Sequence, residues 1–255
     1  MALVRNEAMT PVAQAAVLVS FPVAAAAIGS GVALVRPPGP RLVSGIQHFA
    51  AGVVLAALAG EVLPRLREEG NLPWAVIGFT VGVLTMLALA AYGRSRDEAR
   101  TNVSTRTLVM ALPLGMLVAV GIDLLIDGLL VGLGVTLGAT AGLILTVALT
   151  IEILFLSLSL AAELTETGLG RLQAGLICAG LGLITAVGAI GGVLVLGGAS
   201  DAVLAAVLAF GSAALMYLAV EELLVEAHEQ DESSLLTAMF FAGFLVIYVL
   251  GELAA

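Results

Sequence analysis

Six acidic side chains lie inside strongly apolar stretches of this chain. Glu61 sits in Leu58-Ala59-Gly60-Glu61-Val62-Leu63-Pro64, and Asp123 and Asp127 sit in Gly121-Ile122-Asp123-Leu124-Leu125-Ile126-Asp127-Gly128. Glu152 follows in Thr150-Ile151-Glu152-Ile153-Leu154-Phe155, and Glu221 and Glu222 in Ala219-Val220-Glu221-Glu222-Leu223. Asp123 and Asp127 are spaced i and i+4, so on a helix both carboxylates leave one face. Ionised together they repel, and the chain has no Lys and no Arg within that stretch to offset them. The remaining partner is a cation, either a metal ion or a proton. Glu152, on the next apolar stretch, adds a third acid that two antiparallel neighbours could bring to the same point. The same residues also admit a structural reading, as protonated acids hydrogen-bonded inside a bundle.

What has to position these acids is a set of membrane helices. Hydrophobic residues make up 60% of 255 positions and charged residues 11%, with a mean hydropathy of +1.13; roughly a quarter of an ordinary globular chain is charged. Apolar stretches of about 20 residues recur throughout, each long enough to cross a ~30 Å hydrocarbon core as a helix. Lipid offers the backbone no hydrogen-bond partner, so helices are the expected spanning element. In that setting an ionisable side chain costs at least about 2.5 kcal/mol and usually faces a pathway.

Turn chemistry and charge divide the chain into eight helices. They run roughly over Pro11–Val35, Leu42–Leu66, Pro73–Gly93, Leu108–Val135, Ala139–Glu163, Gln173–Leu196, Asp201–Glu226 and Ser234–Leu253. Arg36-Pro37-Pro38-Gly39-Pro40 stops the first, and Pro64 with Arg65 marks the expected end of the second. A polar loop is expected over Arg94–Arg106, and a very short link around Leu137-Gly138. The start reads as leading into the first helix, since the run Val12–Val35 is too long for a signal peptide. No stretch outside the apolar segments is long enough to fold separately, so a single polytopic transmembrane domain over residues 1–255 is expected. No internal repeat stands out by eye.

All ten basic residues are Arg, and the formal charge of −9 argues against nucleic acid as a partner. With the Arg94–Arg106 loop inside, the loops after helices one, three, five and seven hold most of the arginines, and only Arg5, Arg65 and Arg67 fall elsewhere. The positive-inside rule then places both termini outside. The expected location is the plasma membrane of a bacterium or archaeon.

Other residues signal less. His48 stands alone near the start of the second helix, Ser157 and Ser159 are expected to bond their own backbone, and Trp74 reads as an interfacial anchor. Glu163 and Glu166, near Arg171, read as solvated loop charges. The single Cys178 excludes a disulfide within the chain. H-E-x-x-H, G-x-S-x-G and Walker A patterns are missing, so an enzyme is not expected.

Several segments, in order along most of the chain, resemble the ZIP (Zrt/Irt-like) divalent-metal transporter family. His48-Phe49-Ala50-Ala51-Gly52-Val53-Val54-Leu55 through Leu63-Pro64 looks like its second helix, and Gly78-Phe79 with Gly82 and Met86 like its third. Ala214-Leu215-Met216-Tyr217 through Glu221-Glu222-Leu223-Leu224-Val225-Glu226-Ala227-His228 is close to the family's E-E-L-I-P-E-A-H, with Val225 in place of the proline. On the family's H-N-x-P-E-G motif fall Asp123, Leu124, Leu125, Ile126, Asp127 and Gly128. Asp123 takes the metal-binding His position and Asp127 the Glu position. Glu152 occupies a ligand position in the fifth helix, where Ile153 and Leu156 abolish two others, and the common Glu of the sixth falls on Thr185.

The resemblance implies an all-α integral membrane protein, an eight-helix transmembrane bundle of the ZIP type. It further implies transport of a divalent metal cation by an elevator-like movement of one helix bundle against another. The family's binuclear centre would here be reduced to one all-oxygen site of Asp123, Asp127 and Glu152. Glu61, Thr185, Glu221, Glu222 and His48 are candidate pathway positions. The metal is expected as substrate, with no cofactor, and homodimerisation is suggested by the resemblance and the many small residues. Carboxylates favour harder ions such as Mn²⁺, Mg²⁺ or Ca²⁺, although Zn²⁺, Cd²⁺ and Fe²⁺ also bind them. Two alternatives stand beside this: transport of another cation or a proton-coupled solute, and a non-transporting scaffold or sensor with the ZIP fold.

Overall fold

Prolines and glycines set most of the helix ends. Pro11 opens the first helix, where its missing N–H is no loss, and the Thr10 side chain accepts from the Ala13 N–H at 3.3 Å. Gly138, at φ 143°, is the whole link between the fourth and fifth helices, a conformation that favours glycine. The computed structural model describes residues 9–36, 39–69, 71–101, 114–228 and 233–254. Its helices are α1 (Pro11–Val35), α2 (Pro40–Ala57, a π-helical turn Leu58–Val62, then Leu63–Glu69), α3 (Leu72–Thr101) and α4 (Leu114–Leu137). They continue as α5 (Ala139–Glu166), α6 (Arg171–Leu196), α7 (Asp201–Tyr217, a π-helical turn Leu218–Leu223, then Leu224–Ala227) and α8 (Ser234–Ala254). Eight helices among the described residues are thus long and apolar enough to cross a membrane, and none of these residues is in a strand.

Two expectations need correction. The helix of α3 continues past Gly93 to Thr101, so the expected polar loop begins as helix. Its charged residues are not helix breakers, and a helix can project beyond the apolar layer with its polar turns in water. Residues 102–113, the rest of that loop and the start of the fourth helix, lie outside the described residues. Nor does Pro64 end α2. The π-helical turn immediately before it, with the Leu63 N–H donating to the Leu58 carbonyl, accommodates a residue that lacks an N–H.

The helices sort into two sets of four. In one, α1 packs along α5 and α6, and α4 packs along α6. In the other, α2 packs along α8 and α3 along α7, while Ser44 on α2 donates to the Ala227 carbonyl at 2.7 Å. Within each set backbones touch directly. A β-carbon at Gly128 would collide with the Thr185 carbonyl, and one at Gly52 with that of Phe240. Such small-residue contacts are how helices associate where water supplies no driving force. Between the sets the contacts at glycine are with side chains instead, Gly211 with Leu130 and Gly251 with Ile144. The buried core between them is aliphatic, including Val53, Val54, Leu130, Leu145, Leu208 and Leu215.

This packing is internally symmetric. Exchanging α1 with α6, α2 with α7, α3 with α8 and α4 with α5 maps α2/α8 onto α7/α3, and α1/α5 onto α6/α4. The exchange also pairs α2 with α7, the helices that carry the two π-helical turns. Each opens the same pattern, Leu58-Ala59-Gly60-Glu61-Val62-Leu63 and Leu218-Ala219-Val220-Glu221-Glu222-Leu223. Exchanged helices stand an odd number of positions apart, five for three of the pairs and one for α4 and α5, so partners run in opposite directions through the membrane, an inverted repeat.

Candidate metal centre

Asp123 and Asp127 project from one face of α4, and Glu152 reaches them from α5, the two helices being held side by side by the one-residue link at Gly138. One carboxylate oxygen from each of the three lies within 4.8 Å of the others. Asp127 and Glu152 are 2% and 1% exposed, and Asp123 is half-buried. Aliphatic neighbours enforce that burial: Leu124 and Ile153, beside Asp123 and Glu152 in sequence, pack together with Ala26 of α1.

The hydrogen-bond inventory singles out this spot. Among the described residues the buried side-chain oxygens without a partner are Asp127 Oδ2, Glu152 Oε1, Glu152 Oε2 and Thr185 Oγ1. A buried polar atom left unpartnered costs about 1–3 kcal/mol. Thr185, fully buried on α6, is also unusual for a membrane helix. Thr146 and Thr150 on α5 return their hydroxyls to the Gly142 and Thr146 carbonyls at 2.7 and 2.6 Å, whereas Thr185 does not. Among the described residues no arginine is paired with the cluster: the ion pair found there is Arg65–Glu68 at 3.1 Å, and Arg171 donates to the Leu34 carbonyl.

Chemically, the cluster is a set of hard oxygen donors close enough together for one cation to touch all three. Its access lies between the two helix sets. A cavity of about 290 Å³ is lined by Asp123 and Glu152 from one set and by Gln47, Leu218 and Glu222 from the other, with Glu163 also on its wall. A smaller space of about 200 Å³ joins Asp123 and Glu222 to Met86 on α3. The π-helical turn Leu218–Leu223 is what presents Glu222 here, and such turns recur at functional sites.

The structure thus brings Asp123, Asp127 and Glu152 together, adds Glu222 to their cavity, and buries Thr185 on the neighbouring helix. Glu61 is elsewhere. It lines a separate cavity of about 390 Å³ with Ile144, Tyr248 and Glu252. Glu221 is exposed and borders none of these three spaces. His48 is not solitary: its ring lies 5.0 Å, centroid to centroid, from that of His228. Sequence reasoning missed Gln47 and Glu163. Glu163 belongs to the body of α5 rather than to a loop, because no breaker intervenes before Gly168, so it stays on the helix that carries Glu152.

Comparison with known proteins agrees with this architecture. No curated protein matches the chain. The family model described as ZIP zinc transporter matches residues 93–251, more than half of the sequence, and so includes all three clustered carboxylates and Glu222. The chain belongs to the ZIP zinc transporter family, integral membrane proteins that carry divalent metal ions.

Proposed function

We propose that this protein moves a divalent metal cation across the membrane through one site made of Asp123, Asp127 and Glu152. The observation that carries the reading is the convergence of three carboxylates with three unpartnered oxygens on two helices that carry no Lys or Arg. Three carboxylates around a divalent ion leave about one net negative charge, so binding is electrostatically favourable and an accompanying proton can balance the remainder. Oxygen donors without imidazole shift preference towards Mn²⁺, Mg²⁺ or Ca²⁺ while still admitting Zn²⁺, Cd²⁺ and Fe²⁺.

The movement we propose is an elevator-like displacement of the set α1, α4, α5 and α6 against the set α2, α3, α7 and α8. Three features support it. The three acids all ride on the first set, the contacts at glycine between sets are made by side chains rather than by backbone, and the inverted repeat supplies two equivalent end positions. In one position the carboxylates meet the π-helical turn that holds Glu222; in the other they meet its counterpart, which holds Glu61.

The test is uptake into liposomes by the purified protein across a panel of divalent ions. Saturable flux is expected, and it is abolished in Asp123→Asn and in Asp127→Asn proteins that remain folded. Unchanged flux in both variants would sink the site assignment, and flux that ignores divalent ions but follows Na⁺ or pH would replace the substrate.

A further inference from the structure

His48 and His228 are the only histidines in the chain, and although far apart in sequence their rings are in contact. The centroids are 5.0 Å apart and the planes are tilted by 52°. Each ring is fixed in the same way. His48 Nδ1 lies 2.9 Å from the Ser44 carbonyl, four residues back on α2, and His228 Nδ1 meets the Leu224 carbonyl on α7. A carbonyl only accepts, so in both rings Nδ1 carries the hydrogen and Nε2 holds a lone pair in the neutral form. Metal-binding histidines are set up in this manner, the second nitrogen donating to a backbone carbonyl that fixes tautomer and orientation.

The spacing fits shared ligation. With a metal–Nε2 bond of about 2.0–2.1 Å, an imidazole centroid stands about 3.2 Å from the ion, and two on tetrahedral directions are about 5.2 Å apart. The backbones are pinned at the same place, because Ser44 donates to the carbonyl of Ala227, the residue before His228. His48 is buried at 5% exposure while His228 is exposed, which leaves one side of such an ion to water.

We propose that His48 and His228 form a second metal site, separate from the carboxylate cluster, for borderline divalent ions such as Zn²⁺, Co²⁺, Ni²⁺ and Cu²⁺, with water completing the shell. Imidazole selects these ions and discriminates against Mg²⁺ and Ca²⁺, so the two sites differ in preference. The dyad belongs to the helix set opposite the carboxylates. Gln47, which lines the carboxylate cavity, directly precedes His48 on α2.

The experiment uses the full chain purified with a tag that holds no histidine. Cu²⁺ added at one equivalent is read by electron paramagnetic resonance. Couplings to two imidazole nitrogens are expected, and every imidazole in the chain belongs to this pair. In parallel, Zn²⁺ binding is measured by equilibrium dialysis on the Asp123→Asn/Asp127→Asn/Glu152→Gln protein. Retention of one Zn²⁺ per chain is expected, with affinity lowered by at least about tenfold on adding His48→Gln or His228→Gln. Absence of imidazole couplings in the unaltered protein overturns the proposal, as does Zn²⁺ binding that ignores both histidine substitutions. Because the carboxylates are removed in the dialysis arm, the outcome does not depend on whether they are the transport site.

Discussion

Gly128 on α4 packs directly on the backbone carbonyl of Thr185 on α6, one residue beyond the metal-site candidate Asp127. Nothing there can give way, since the obstacle to a β-carbon is main chain. Gly128→Val is therefore expected to lower stability by at least about 1–3 kcal/mol, the usual cost of overpacking. Gly60→Ala is the control, because a β-carbon there meets nothing within 4 Å. Thermal unfolding in detergent compares the two; equal midpoints would mean that α4 and α6 can separate without cost.

Thr185→Val removes a hydroxyl that has no partner in the fold and keeps the shape of the side chain. Stability is expected to hold or rise, since no hydrogen bond is lost. Metal affinity is expected to fall severalfold if the hydroxyl serves the bound ion, and calorimetric titration of purified protein reads this directly. Affinity equal to that of the unaltered chain would exclude Thr185 from the site.

Glu152→Gln should uncouple metal from stability. A ligand at about 100 times its Kd stabilises a folded protein by about 2.7 kcal/mol, and this increment is expected in the unaltered chain. In the variant the unfolding midpoint is expected to stop responding to Mg²⁺ or Ca²⁺, ions that the histidine pair discriminates against. A midpoint that still rises with the same metal would place the ion elsewhere.

Protons and metal compete for the oxygens of Asp123, Asp127 and Glu152, so affinity is expected to weaken as pH falls from about 8 to about 5. The sign follows from mass action: the bound state holds fewer protons, and adding protons drives the ion off. Titrations in buffers of different ionisation enthalpy should reveal proton release on binding. Heats independent of buffer would show that the oxygens are already deprotonated before the ion binds and would contradict the expected pH dependence.

Much of the fold was legible because a membrane helix announces itself by length and apolarity. The expected bounds of the first helix match α1, and the short link at Leu137-Gly138 is the Gly138 turn. The cluster was legible too, since i, i+4 spacing fixes the face of Asp123 and Asp127 and a short link fixes the neighbour that brings Glu152. What escaped depends on hydrogen-bond register rather than composition. A π-helical turn differs from an α-helical one by a single donor–acceptor shift, so nothing in Leu58–Val62 or Leu218–Leu223 marks it in advance. The inverted repeat was hidden for the same reason. Its clearest sequence trace is a six-residue pattern, and only the coincidence of the two turns gives that pattern weight. His48 looked solitary because its neighbour comes from the turn after α7, a contact that tertiary packing alone creates.

The one-residue link at Gly138 has a mechanical meaning for selectivity. In the proposed displacement a hairpin closed by a single residue would travel as one unit, and Asp123, Asp127 and Glu152 would keep their mutual distances. A passenger ion would keep the same three oxygens from boarding to release. On the proposed mechanism, choice among ions would be made once, on boarding, and what would change along the way is whether water and Glu222 or Glu61 can reach the fourth side.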